Sequence, residues 1–388
     1  MSALGRSNDT TVGRWFWTID RALLAMVLLL ISIGLIAVAA ASPAAAHRYS
    51  GGSVHIGDMF YFKRQLFWVG VGVPVMLAVS MLSIGWAKRL SLIGTIGAIV
   101  ALAAVPFLGF EINGAVRWIN LGGFQLQPSE FLKPLFVVAT AWLLAARYDD
   151  RSVPALQVSF ALLVLIAAML VKQPDFGQTA LFTAVWLVQA FLAGMSVMTL
   201  IGAVCVGVGG MGIAYMFVPH VTERIDKFLT GGGDTYQIDR ALDCFKAGGL
   251  FGAGPGEGKA KFRLPEAQTD YIFAVIGEEF GAIACLALAC LFLAIVVRVL
   301  LQLLDEDDPF IFLAAAGLAT QFGAQAMINM SVNLALLPSK GMTLPFVSHG
   351  GSSFLALSMG MGLLLALTRR NRFLKASPYV SRLGAAAA

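Results

Sequence analysis

Long apolar runs separated by short polar stretches make up almost the whole chain, at 22–41, 62–82, 89–109, 130–146, 154–171, 178–194, 197–218, 271–298, 309–336 and 350–368. A helix of about 20 mainly apolar residues crosses a bilayer, so the pattern predicts ten membrane-spanning helices. The runs at 130–146 and 178–194 are the shortest of the ten. No repeat of fixed period and no inverted match between the two halves is visible. The expected fold is an all-α polytopic membrane protein, one integral domain over 1–388, with a large loop at 219–270 between the seventh and eighth helices.

Composition agrees: 58% of residues are hydrophobic and 13% charged, where a soluble domain carries about 25% charged. The net charge of +5 sits mostly near the ends. Arg6, Arg14 and Arg21 precede the first run, and Arg369, Arg370, Arg372, Lys375 and Arg382 follow the last. Lys88, Arg89, Arg147 and Arg151 fall on the same side in a ten-helix count. The positive-inside rule then puts both termini, 1–21 and 369–388, in the cytoplasm. The 219–270 loop and the segment from Lys340 to His349 face outward. This charge sets orientation and gives no reason to expect a nucleic-acid partner. Cys205, Cys285 and Cys290 lie in apolar runs and Cys244 in a polar loop, which is neither a disulfide framework nor a metal spacing. The acidic run Asp305-Glu306-Asp307-Asp308 reads as a solvated turn.

Some patterns mislead. Arg14 and Arg21, an apolar stretch and Ala44-Ala45-Ala46 resemble a secretory signal, but the apolar stretch exceeds the roughly 7–15 residues of a signal core, so an uncleaved first helix is expected. Gly254-Pro255-Gly256-Glu257-Gly258-Lys259 invites a phosphate-loop reading. Ala253 stands where that motif needs its first glycine, and Ala260 where it needs Ser or Thr. His47, His55, His220 and His349 show no metal spacing, and no serine sits in a nucleophile motif.

Polar groups beside the apolar runs carry the candidate chemistry. Pro128 opens a helix on which Glu130 and Lys133 share a face. They form either a structural ion pair or a pair that lines a cavity and orders a site. Arg117 beside Trp118 reads either as an interfacial belt or as a charge that helps to order the site. Asp175, in the turn Gln173-Pro174-Asp175-Phe176-Gly177, either caps the next helix or adds a paired charge. Asp270 has two readings. Thr269 suits an N-cap, which would place Asp270 in a first turn at the positive end of the helix dipole. Alternatively, Asp270 is a general base at the membrane face. Lys259, Lys261 and Arg263 lie close in sequence, and Lys340, Ser348 and His349 across the predicted cleft, as candidate phosphate and substrate contacts. Glu278 and Glu279 lie about 12 Å further along the same helix, where two acids need partners and a polar cavity is expected.

Taken together, several motifs resemble the SEDS family of bacterial shape and division proteins. They are Gly114 to Pro134, Gln173 to Gly177, Gly233-Asp234-Thr235-Tyr236-Gln237, Gly248 to Gly254, Leu264 to Glu279 and Asn329 to Ser353. Leu337-Pro338-Ser339-Lys340-Gly341-Met342-Thr343-Leu344-Pro345 resembles the division branch more than the elongation branch. The resemblance implies a ten-helix peptidoglycan glycosyltransferase of the bacterial cytoplasmic (inner) membrane, at the division septum. It implies polymerisation of lipid II onto an undecaprenyl-diphosphate-linked glycan, with Asp270 as the essential acid and Glu130 and Lys133 as a helix pair. It further implies a class B penicillin-binding protein (an FtsI-like transpeptidase) and other division proteins as partners. As the alternative to a base role, Asp270 would ligate an assisting divalent cation, Mg or Mn. Gln268 stands where the family often has His, and His349 where Tyr is common, so an acid–base role at either position is in doubt. A lipid II flippase and a non-catalytic scaffold are the competing readings.

Overall fold

The computed structural model describes residues 11–50, 55–112, 115–122, 124–150, 152–217, 222, 226, 236–338 and 341–369. Lys340, most of 218–235 and both chain ends lie outside these residues. A short helix, α1 (Thr11–Thr18), comes first. The ten apolar runs then become α2 (Arg21–Tyr49), α3 (Phe60–Ser80), α4 (Ile84–Leu108), α5 (Pro128–Asp149), α6 (Ala155–Lys172), α7 (Phe176–Leu192), α8 (Val197–Phe217), α10 (Ile272–Leu303), α11 (Pro309–Asn333) and α12 (Gly351–Leu367). Between α8 and α10 stand α9 (Tyr236–Gly248) and a 3-10 turn, Ala260–Arg263. Seven described helices are long and apolar enough to cross a membrane; α7, the apolar part of α8 and α12 are shorter.

Burial separates centre from rim. The most apolar stretches of α5 and α11 are 72% and 67% buried, against 28% or less for α3, α4, α6 and α10. Helices apolar on all sides either fill a core or face lipid, and here both kinds occur. The centre is also where the amides and ions of the chain collect: Glu130, Lys133 and Thr140 on α5 and Gln321, Gln325, Asn329 and Asn333 on α11 are all buried.

Two features depart from the sequence expectation of helices alone. Three strands, β1 (Gly109–Ile112), β2 (Ala115–Leu121) and β3 (Phe124–Leu126), pair as an antiparallel sheet. A β-rich run, Val116-Arg117-Trp118-Ile119, carries the central strand and accounts for it. Further on, α10 is broken at Gly281 (φ 83, ψ 175). The Gly249–Gly254 turn wedges into the break and replaces the lost ladder. Ala253 and Gly254 N–H donate to the carbonyls of Glu278 and Glu279 at 2.8 and 3.1 Å, and Ala282 and Ile283 N–H to those of Gly249 and Leu250 at 3.0 and 3.3 Å. The approach is so close that a Cβ on Gly281 would sit 2.3 Å from the Leu250 carbonyl oxygen, and one on Gly252 2.2 Å from that of Glu279. The sequence Gly248-Gly249-Leu250-Phe251-Gly252-Ala253-Gly254 is thus the insert of a broken helix.

At the opposite end of the bundle, Asp20 caps α2 through Ala22 and Leu23 N–H (3.0 and 3.2 Å). The same carboxylate accepts from Arg298 on α10 at 2.9 Å. Hydrogen bonds from Arg298 hold the Asp20 carboxyl below its usual range even though burial works the other way.

Candidate active site

Asp270 lies in a turn that ends at Tyr271, the N-cap of α10, and that cap makes no side-chain hydrogen bond. Thr269 is therefore no N-cap; its hydroxyl donates to the Glu266 carboxylate at 2.7 Å. Glu266 takes a left-handed conformation (φ 52), and its carbonyl accepts from Thr269 and Tyr271 N–H at 3.0 and 3.2 Å. The resulting turn is docked on the end of α2, where Tyr49 Oη donates to Glu266 Oε1 at 2.7 Å.

Three consecutive carbonyls then fix the strand that carries the acid. The Gln268 carbonyl accepts from His349 N–H at 2.8 Å. That of Thr269 accepts from Ser348 Oγ at 2.6 Å. The Asp270 carbonyl accepts from Asn329 and Asn333 Nδ2 at 2.8 and 2.9 Å. The Asp270 side chain is half-buried and faces Gly341, whose Cβ position is 3.4 Å from Oδ2. Burial raises its carboxyl to about 7, the charge of Glu266 adds to the rise, Arg117 opposes it, and Glu130 adds a smaller push. A carboxyl poised there can take a proton near neutral pH.

The Glu130–Lys133 pair is buried, with Nζ–O distances of 2.9 and 2.8 Å. Gln178 Nε2 donates to Glu130 Oε1 at 2.6 Å, and Lys133 Nζ donates to Gln325 Oε1 at 2.9 Å. Gln325 in turn donates to the Thr343 carbonyl at 3.0 Å. A buried pair is tolerable only when its lone pairs and protons find partners; the amides supply one to Glu130 Oε1 and one to Lys133, while Glu130 Oε2 has the Lys133 ammonium alone. The arrangement ties α5, α7, α11 and the 341–349 segment together.

Arg117 does more than sit in an interfacial belt. From β2 it donates to the carbonyls of Gln173 and Pro174 at 3.1 and 2.6 Å and stands 3.9 Å from Asp175. Asp175 caps α7 through Gln178 N–H at 3.4 Å; burial raises its carboxyl while Arg117 opposes the rise. Arg117 thus pins the 173–175 turn and lends positive charge to both Asp175 and Asp270.

Other expected contacts resolve differently. Lys261 is 1% exposed and committed to Glu279, with a second bond to the Ala40 carbonyl at 2.9 Å. It is a buried anchor between α2 and α10, and its burial takes the ammonium out of reach of a phosphate. Glu278 accepts from Ala260 and Lys261 N–H at 2.6 and 2.8 Å, and Glu279 from Gly256 N–H at 2.5 Å. These two acids therefore hold the 256–261 loop against the helix break and do not line an open polar cavity. Ser348 is occupied within the structure: beyond the Thr269 bond, its Oγ accepts from Leu344 N–H at 2.8 Å. His349 Nδ1 lies 3.0 Å from Gln65 Oε1; burial and then Arg64 lower its imidazole to about 4, which keeps it neutral. Arg263 is exposed and stays a candidate for the diphosphate. Lys340 lies outside the described residues.

Sequence reasoning missed Arg64, Asn329, Asn333, Gln325 and Glu266. Arg64 lines an open groove of about 620 Å³ with Phe60, Phe67, Trp68, Val71, Gly122, Phe124 and Leu355. The signal was available in part, since Phe60, Arg64, Phe67 and Val71 repeat at helical spacing, with one cation among apolar groups. Among the described residues no group of three His, Cys, Asp or Glu side chains could by itself hold a metal ion.

The family model described as "Cell cycle protein", for FtsW, RodA and SpoVE, matches residues 20–373. A probable peptidoglycan glycosyltransferase FtsW of Caulobacter vibrioides is 42% identical over 370 residues, covering 95% of this chain and 94% of the relative. Stage V sporulation protein E of Bacillus subtilis is 33% identical over 370 residues, covering 91% and 98%. Among solved structures, a chain from a peptidoglycan synthase complex that coordinates polymerization and crosslinking superposes with TM-score 0.73 at 25% identity, covering 90% of this chain and 97% of that one. The rod shape determining protein RodA of Thermus thermophilus gives TM-score 0.65 at 26% identity, covering 90% and 96%.

Proposed function

The chain belongs to the FtsW, RodA and SpoVE family of cell cycle proteins, and we propose that it is the division-type polymerase of that family, with Asp270 as its general base. It is a peptidoglycan glycosyltransferase and a polytopic membrane protein. The finer reading is that it extends glycan strands from lipid II at the outer face of the bacterial cytoplasmic membrane, with both termini inside, at the septum. The observation that carries it is the Asp270 carboxyl, raised to about 7 by burial and by Glu266 on a main chain fixed at three successive carbonyls.

In the reaction, a hydroxyl of the acceptor lipid II attacks the anomeric carbon of the diphosphate-linked strand. The bond from that carbon to the diphosphate oxygen breaks, and the hydroxyl proton passes to Asp270. Diphosphate leaves as a stable anion, so no second carboxylic acid is needed to protonate it, unlike the paired carboxylates of glycoside hydrolysis. Arg263 and Lys340 serve the leaving charge. The groove beside Arg64 is apolar along its length with one cation in it, a chemistry that suits a lipid chain ending in a diphosphate. Mg binds through one or two carboxylates plus substrate phosphates; in the alternative to the base role, Asp270 would instead be the protein ligand of a Mg or Mn ion, and the ion would offset charge on the leaving group.

Lipid-linked donors and acceptors explain why such a catalyst is embedded in membrane. A transporter would place its charges near the midplane of matched halves, whereas Glu130 lies in the first turn of α5 on the same side of the bundle as Asp270. The family's usual partner, a class B penicillin-binding protein of the FtsI type, is the expected companion, in keeping with the synthase complex whose chain this one resembles.

The test is a lipid II polymerisation assay resolved by product length, on the purified chain with and without its transpeptidase. Asp270→Asn is expected to lower strand synthesis by a factor of about 10² to 10⁴, the range of general-base contributions. Full activity in that variant would remove Asp270 from the chemistry.

A further inference from the structure

Helix α11 carries Gln321, Gln325, Asn329 and Asn333 at steps of four, which places them on one face, and all four are buried. Amides inside an apolar helix cost free energy unless they are hydrogen-bonded. Three of them are used on neighbouring elements. Gln325 joins Lys133 to the Thr343 carbonyl (2.9 and 3.0 Å). Asn329 Nδ2 donates to the Asp270 and Met342 carbonyls (2.8 and 2.7 Å). Asn333 Nδ2 donates to the same Asp270 carbonyl at 2.9 Å, and its Oδ1 accepts from Ala274 N–H at 3.1 Å, in the first turn of α10.

We propose that Asn329 and Asn333 are positioning residues for Asp270: together they saturate its main-chain carbonyl and set where its carboxyl stands relative to the attacking hydroxyl, without touching substrate. This rests on the reading of Asp270 as the base. A carbonyl oxygen offers two lone pairs, and here both are taken from one helix. With the carbonyls of Gln268 and Thr269 also held, the acid keeps only its side-chain torsions as freedom. A carboxyl on an unsupported turn would wander by an ångström or more, and a misplacement of about 1 Å can cost about 10²-fold in rate. The same face of α11 holds the Glu130–Lys133 pair through Gln325, so pair and acid are registered on one rigid element.

The two asparagines differ in one respect that the test exploits. Asn333 also caps α10 through Ala274, so its loss affects stability as well as position. Asn329 caps no helix. Asn329→Ala, Asn333→Ala and the double variant are assayed as full chains with lipid II, beside the transpeptidase if wild type requires it. Rates are normalised to the monodisperse fraction, and melting is followed in parallel. Each single variant retains one donor on the carbonyl and is expected to lose about tenfold in kcat at unchanged KM. The double variant should lose more than about 10²-fold, beyond the product of the singles, because they share an acceptor. The acid limb of the pH–rate profile should stay in place, since no charge changes.

Unchanged kcat in the folded variants, or a loss confined to KM, would overturn the positioning role. A double variant that does not fold leaves the decision to Asn329→Ala alone. Asp270→Asn in the same series separates the layers. If it is inactive while the asparagine variants run at full rate, positioning fails and the base stands. If it runs at full rate, the base reading fails and positioning goes with it.

Discussion

Glu266 shows how much a single side chain sets at this site. Its left-handed backbone makes the turn that presents Asp270, and its carboxylate, held by Tyr49 and Thr269, adds negative charge beside that acid. The charges acting on Asp270 are Glu266 from its own turn, Arg117 from β2 and Glu130 from α5. Asp270 works as a base only when ionised, so activity should rise with pH through about 7. Glu266→Gln keeps one acceptor oxygen for these hydroxyls, offers the other hydroxyl an amide N–H to accept from, and removes the charge. Asp270 then ionises more easily, and the acid limb of kcat/KM should move to lower pH. A limb that stays put would show that burial alone sets the carboxyl. Asp270 was legible from its place before an apolar run, but Glu266 was not, because nothing in Leu264-Pro265-Glu266 announces a positive φ.

At the scale of elements, the break in α10 explains a motif that sequence could only flag. Glycines at 248, 252 and 281 are needed because backbone meets backbone there, as the Cβ distances of 2.0 Å from Gly248 to the Gly277 carbonyl oxygen and 2.3 Å from Gly281 to that of Leu250 show. Irregular backbone near a membrane must be satisfied by other protein groups, and the carbonyls and N–H groups on either side of the break do this. Glu278, Glu279 and Lys261 complete the joint. Lys261→Met leaves a carboxylate buried without its cation and should destabilise the fold by about 3–5 kcal/mol. Adding Glu279→Gln removes that charge while keeping an acceptor for Gly256 N–H, so the double variant should regain most of the loss. Thermal melts of the single and double variants decide; a double variant as unstable as the single would mean that the ion pair is not what holds the joint.

For the whole molecule, the groove and the amide face of α11 arise only from assembly. Phe60 and Val71 of α3, Phe124 of β3 and Leu355 of α12 meet around Arg64 from places far apart in the chain. If a lipid diphosphate lies there, Arg64→Gln should raise KM for lipid II several-fold with kcat changed less, since the contact is made in ground and transition state alike. A variant with wild-type KM would move the lipid path elsewhere. The sequence by itself determined the helices, because about 20 apolar residues can satisfy their backbone in a membrane in few other ways. It also singled out Asp270 and the Glu130–Lys133 pair, because ions beside apolar runs are costly and therefore conspicuous. It placed Lys261 among phosphate contacts and left Arg117 between an interfacial belt and an ordering charge, because spacing along a chain does not say which groups are buried against each other. That was decided by tertiary structure: whether a charge is spent on a neighbour, as with Lys261 and Glu279, or has its main chain alone tied down, as with Asp270, depends on how the elements pack, some of them as far apart in sequence as Lys261 and Ala40.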